Sequence, residues 1–151
     1  MRDSMPPALR DRLGPLLGRT HEAHRALTAA ALAPLGLSPK GFGALAVLAD
    51  EGPLAQLRLA ERQGIDRTTM VAVIDELERA GAVERRRDPV DRRRYALHIT
   101  GGGHALLARA TTAVIESEDR FLDPLPAADR ERLRAALRAL LERGDAVVRR
   151  A

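Results

Sequence analysis

The sequence predicts a mainly α-helical protein: a winged helix-turn-helix with a two-stranded wing hairpin, plus N- and C-terminal helices. Three observations carry this. Apolar residues recur at helical spacing through most of the chain. Two short helical segments are separated only by Gly64-Ile65-Asp66. The period then drops to two between Val83 and Thr100.

Residues 9 to 33 read as a long helix carrying Leu9, Leu13, Leu16, Leu17, Leu27 and Leu32. Gly14-Pro15 and Gly18 are the expected places for a kink or restart, and Pro34-Leu35-Gly36 ends it. Ser38 is an N-cap with Pro39 at the first helical position, and Leu37 and Phe42 have the spacing of a hydrophobic staple. Glu51-Gly52-Pro53 stops this second helix. A third runs from about Leu54 to Gln63, with Gly64 as its C-terminal stop. Asp66 caps a fourth, whose Met70, Val73, Ile74 and Leu77 form one apolar stripe.

Val83 to Arg86 reads as a strand, Asp88-Pro89-Val90-Asp91 as a turn, and Tyr95, Leu97 and Ile99 as alternate positions of a second strand. Thr100-Gly101-Gly102-Gly103 punctuates the hairpin's end, and a helix follows from about His104 to Asp119 or beyond. Asp123-Pro124-Leu125-Pro126 breaks it, and a final helix carries Leu133, Leu137, Leu140 and Leu141.

Composition narrows the function. The 151 residues are 45% hydrophobic but only 2% aromatic, so the core is aliphatic. Net charge is +4, and Lys40 is the single lysine among 25 cationic residues, so the basic side is arginine. That balance points toward a polyanionic partner. No cysteine is present, which removes disulfides, thiolate metal sites, cysteine nucleophiles and thiol redox sensing. No apolar run approaches the roughly 18 to 20 residues that span a bilayer, and Met1-Arg2-Asp3-Ser4 opens no signal peptide, so a cytoplasmic protein without a membrane partner is expected. No Ser/His/Asp set stands out, and Gly101-Gly102-Gly103 lacks the Lys and Ser of a phosphate loop, so an enzyme is not expected.

The chemistry concentrates between Gly52 and Thr100. On the fourth helix Thr68, Ala72, Asp75 and Arg79 lie opposite the apolar stripe, and Arg67 and Thr69 flank it. Arg grips guanine O6 and N7, Thr bonds a base edge or touches a thymine methyl, and the helix N-terminus favours a phosphate. Asp66, Arg67, Thr68, Thr69 and Ala72 are therefore the candidate recognition residues. Asp75 reads as the i, i+4 partner of Arg79. The stretch from Glu84 to Arg94 holds six arginines and three acids. An arginine-tipped ribbon suits a narrow minor groove, which makes Arg86, Arg92, Arg93 and Arg94 candidates, with Asp91 holding one Arg extended. Double-stranded DNA is the expected partner; a protein adaptor whose arginine tip meets an acidic surface is the alternative from another class.

These residues resemble the MarR family of bacterial winged helix-turn-helix regulators. The likeness runs from Gly52-Pro53-Leu54 through Gly64-Ile65-Asp66-Arg67-Thr68-Thr69-Met70 and Val73-Ile74-Asp75-Glu76-Leu77-Glu78. It closes with Asp88-Pro89-Val90-Asp91-Arg92-Arg93 and Ile99-Thr100. The resemblance implies a homodimeric transcriptional repressor on a pseudo-palindromic operator. It divides the chain into an N-terminal dimerisation helix (1–35), a DNA-binding lobe (36–100) and C-terminal dimerisation helices (101–151). The apolar content of residues 104 to 148 agrees with a covered surface. It makes Asp91 a buttress, inserts Arg93 in the groove, sets Arg92 and Arg94 on phosphates, and sets Arg67 to Thr69 on the major groove.

Two departures stand out. Val71-Ala72 occupies the place of a common Thr-Arg, and the usual Pro is absent from Thr100-Gly101-Gly102-Gly103, which loosens the expected junction. The resemblance also implies a small anionic or phenolic effector, with His21, His24, Arg25 and Phe42 placed to line its pocket. The plainer alternative keeps His21 and His24 as surface or partly packed helix residues. They are i, i+3 with only Glu22 nearby, so neither a metal site nor a cofactor is expected.

Overall fold

The computed structural model describes residues 6–87 and 95–148. Eight helical segments and one hairpin follow in the order α1 (Pro7–Arg10), α2 (Leu13–Leu32), a single 3-10 turn (Ala33–Leu35), α3 (Pro39–Glu51), α4 (Gln56–Gln63), α5 (Arg67–Arg79), β1 (Val83–Arg87), β2 (Tyr95–Ile99), α6 (Gly101–Leu122) and α7 (Ala127–Val148). This is the expected mainly α winged helix-turn-helix. The chain divides into two compact units, residues 1–117 and 118–151. Among the described residues no single helix is long and apolar enough to cross a membrane.

In the first unit one aliphatic core joins α3, α4, α5, the hairpin and the first turns of α6. Leu32, Leu45, Leu48, Leu59, Met70, Ile74, Leu77 and Leu97 are its largest fully buried side chains. Leu106 and Ala110 of α6 belong to the same cluster, and Phe42, Leu54, Ile65 and Ile99 pack on its edge. Each such aliphatic burial stabilises by about 1.5–3 kcal/mol. The stripe Met70, Val73, Ile74 and Leu77 is buried as its spacing requires.

The N-terminal helix breaks earlier than expected. The interruption is at Asp11-Arg12, whereas Gly14, Pro15 and Gly18 lie inside α2. Pro15 is tolerated because it is the third residue of α2. The first intrahelical bond runs from Leu16 N–H to Arg12 O at 3.2 Å, so a proline one residue earlier forfeits nothing. Ser38 caps α3 as expected, its Oγ accepting from Gly41 N–H at 3.0 Å.

The third helix starts later than expected, at Gln56. Leu54 instead exchanges two backbone hydrogen bonds with Leu97, 3.3 Å from its own N–H and 2.8 Å to its carbonyl. A fragment of a third strand therefore edges the hairpin. The hairpin itself is antiparallel, with Val83 opposite Ile99 and Arg87 opposite Tyr95. The strict alternation expected of β2 is broken, since Ala96 and Leu97 are both buried and Tyr95 is exposed. Leu97 faces the core, and the chain preceding α4 covers the strand's edge.

The three glycines after Thr100 do not punctuate; they form the first turn of α6. Thr100 caps that turn, its Oγ accepting from Gly103 N–H at 2.9 Å and donating to Gly81 O at 2.7 Å. Its backbone N–H reaches Ala82 O at 3.0 Å. Gly103 is required there: a Cβ would sit 2.1 Å from Ala82 O and 2.7 Å from Ile99 Cγ1. A capping threonine and a close backbone approach thus secure a junction that has no proline.

In the second unit the turn into α7 is held by Arg130, whose Nε donates to Leu125 O at 2.8 Å. Asp129 N–H and Arg130 N–H both bond Pro126 O, at 2.9 and 3.1 Å. Leu133, Leu137, Leu140 and Leu141 of α7 are exposed, as are Leu9, Leu13, Leu16, Leu17 and Leu27 in the first unit.

Candidate nucleic-acid interface

The joint between α4 and α5 is made by one glycine and one carboxylate. Gly64 closes α4 in the left-handed region (φ 61°), where a side chain would be strained. Ile65 N–H then bonds Ala60 O at 3.0 Å. Asp66 follows in extended conformation and caps α5. Its Oδ1 accepts from Thr69 N–H at 2.9 Å and its Oδ2 from the Thr69 hydroxyl at 2.6 Å. The hydroxyl contact, then the backbone N–H, hold the Asp66 carboxyl below its ordinary value.

This geometry sorts the candidate recognition residues. Arg67, Thr68 and Ala72 are exposed on the outer face of α5. Thr69 is half-buried with its hydroxyl proton committed to Asp66, so only its oxygen lone pairs face outward chemistry. Arg67 also lines a groove of about 350 Å³ between α4 and α5, with Gln56, Leu57, Ala60, Met70 and Val71.

Glu76 fixes α5 in the lobe by accepting from Ser38 N–H at 2.8 Å. Asp75 pairs with Arg85 on β1 at 3.8 Å, not with Arg79. The local i, i+4 pairing loses because Arg85 already lies over α5, its Nε donating to both carboxylate oxygens of Glu78 at 3.1 and 3.2 Å. Arg85 therefore ties the wing's first strand to the C-terminal half of α5. In the sequence Arg85 is only one more arginine of the basic stretch, because both its partners lie on another element.

On the wing, Arg86 is exposed and pairs with Glu84. The Arg87 guanidinium stands 5.9 Å from the centre of the Tyr95 ring across the hairpin. Asp91, Arg92, Arg93 and Arg94 lie outside the described residues. Of the effector candidates, His21 and Arg25 are exposed on α2, and His24 is half-buried. Phe42 packs against the lobe's core. Among the described residues no group of three His, Cys, Asp or Glu side chains is placed to hold a metal.

A profile described as MarR family matches residues 35–94. The chain is 33% identical to the HTH-type transcriptional repressor Rv2887 of Mycobacterium tuberculosis over 128 residues, covering 85% of this chain and 92% of that one. A crystal structure of Rv2887 in complex with DNA superposes with a TM-score of 0.75 at 32% identity, over 85% of this chain and 97% of that one. Another, with p-aminosalicylic acid, gives 0.72 over 85% and 98%. A Thauera aromatica protein described as a transcriptional regulatory protein for the hcr operon is 38% identical over 105 residues. The chain spans 63% of that relative's length. With its helix-turn-helix capped at Asp66, arginine-bearing hairpin and near full-length match to Rv2887, the chain belongs to the MarR family of transcriptional regulators.

Proposed function

We propose that the chain is a homodimeric repressor that binds a pseudo-palindromic operator in double-stranded DNA and acts in the cytoplasm without enzymatic activity. One observation carries this. The Asp66 cap presents Arg67 and Thr68 at the outer start of α5, and Arg85 fastens an arginine-bearing wing to the same helix. In this reading α5 enters the major groove, with Arg67 on guanine and Thr68 on a base edge or phosphate. The wing, with Arg86, Asp91, Arg92, Arg93 and Arg94, follows the flanking minor groove. The DNA complex of Rv2887 supports it.

The exposed leucine rows of the N-terminal helices and of α7 support dimerisation through residues 1–35 and 101–151. The p-aminosalicylate complex of Rv2887 supports a small anionic or phenolic effector here, with His21, His24, Arg25 and Phe42 as its candidate lining.

Selection from a random duplex pool tests the proposal. The expected product is a pseudo-palindrome whose half-sites are about one helical turn apart. Recovery of no sequence, with capture of an acidic protein through the arginine hairpin, would favour the adaptor instead.

A further inference from the structure

At Val71 and Ala72, α5 offers a base edge no hydrogen bond. Val71 is 44% exposed and Ala72 after it is exposed too. Leu57 of α4, 45% exposed, lines the same groove as Val71. Val is a poor residue for an exposed helix position, since its branched Cβ restricts χ1, so helix formation does not explain it. The core does not explain it either, because the buried stripe is complete in Met70, Val73, Ile74 and Leu77. Among the described residues Arg67 is the only charged side chain lining the groove, and it is cationic, which matches a polyanion. In the major groove the apolar feature of a base edge is the C5-methyl of thymine.

We propose that Val71 is a specificity-determining residue that packs on a thymine 5-methyl, with Leu57 as the wall beside it, at one thymine per half-site. The proposal rests on the reading of α5 as the DNA-reading helix. An aliphatic contact of this kind discriminates thymine from cytosine and from uracil, and it does so without any polar group on the protein.

The test is a cycle between a methyl on the DNA and the methyls of the side chain. A duplex enriched from a random pool by the full-length protein is resynthesised with each thymine replaced in turn by deoxyuridine. That exchange removes the methyl and leaves every hydrogen-bonding group in place. Binding is measured for the wild type and for Val71→Ala, an exposed change toward higher helix propensity that leaves the core untouched. At one thymine per half-site the wild type should lose about fourfold in affinity, the value of one methyl-sized apolar contact. Val71→Ala should bind the thymine duplex more weakly than the wild type and lose almost nothing further on the deoxyuridine exchange. Equal losses for both proteins at every position, or no loss for the wild type at any, would overturn the proposal while leaving DNA recognition by α5 standing. Failure to enrich any duplex would instead overturn the DNA reading on which it rests.

Discussion

The backbone N–H of Ser38 donates to Glu76 Oε1 at 2.8 Å, so a carboxylate of α5 helps cap α3, the helix it packs against. The contact is tight: a Cβ on Gly41 would lie 2.6 Å from the same oxygen. Glu76 has no place on the outer face of α5. Its role is to set how α5 lies in the lobe, and through that how Arg67 and Thr68 are presented. Glu76→Ala should cost about 1.5–3 kcal/mol, the range for a hydrogen bond to a charged group. Glu76→Gln, which keeps an acceptor, should cost less than half as much. Urea unfolding of the two variants checks this; a Glu76→Ala protein as stable as the wild type would mean that the Ser38 bond contributes nothing, and equal losses would mean that only the charged carboxylate serves.

The first turn of α6 gives a paired prediction. Gly103→Ala drives a methyl into Ala82 O and Ile99, where the nearest obstacle is backbone, and should destabilise by about 2 kcal/mol or more. Gly101→Ala meets nothing within 4 Å and should be neutral or stabilising by up to about 1 kcal/mol. Thermal melts of both variants suffice. A Gly103→Ala protein as stable as the wild type would remove the close approach from the account.

The Asp66 cap predicts a pH dependence. The Thr69 hydroxyl and N–H favour the ionised carboxylate, so its value in the folded protein is depressed. Its contribution is present above the ordinary aspartate value of about 3.9 and is lost as pH falls through the lower folded value. Asp66→Asn keeps a capping oxygen but no charge. The stability advantage of wild type over Asp66→Asn should therefore be full near neutrality and should vanish in strong acid. An advantage that persists unchanged below the carboxylate range would show that the charge is irrelevant to the cap.

Arg85 separates positioning from stability. Its pairs with Glu78 and Asp75 are partly exposed, so Arg85→Ala should cost less than about 1 kcal/mol of folding free energy. If Arg85 sets the wing against α5, the same change should weaken operator binding more than it weakens the fold. The double exchange Arg85→Glu with Glu78→Arg should recover part of that affinity. Anisotropy titrations on an enriched duplex, run beside melts, distinguish this from a purely structural pair, which would show no recovery.

The features legible in the sequence are the ones set by neighbours along the chain. Ser38 and Asp66 were recognisable as caps because the groups they satisfy are three residues away. The stripe on α5 was legible because helical periodicity alone sorts Met70, Val73, Ile74 and Leu77 inward. What escaped depends on distant partners. Nothing local tells that Leu54 leaves α4 to pair with Leu97, or that Asp75 prefers Arg85 to Arg79. The glycines after Thr100 read as a break because glycine disfavours helices. Their real reason, at Gly103, is the Ala82 carbonyl, which only the fold brings near. In the candidate site, Thr68 and Ala72 could be placed on the outer face from periodicity, which set Arg67 only at its flank; that Arg67 is exposed comes from the fold. Thr69's commitment to Asp66 and Arg85's hold on Glu78 could not.

The most direct measurement is the affinity of the full-length protein for an enriched pseudo-palindromic duplex as salt is raised. Neutralising DNA phosphates with arginines releases counterions, so the logarithm of the binding constant should fall linearly and steeply with the logarithm of salt concentration. Six or more phosphate contacts per dimer predict a loss of about a thousandfold or more between roughly 50 and 200 mM salt. A binding constant that stays level over that range would contradict recognition of DNA by this face of the protein.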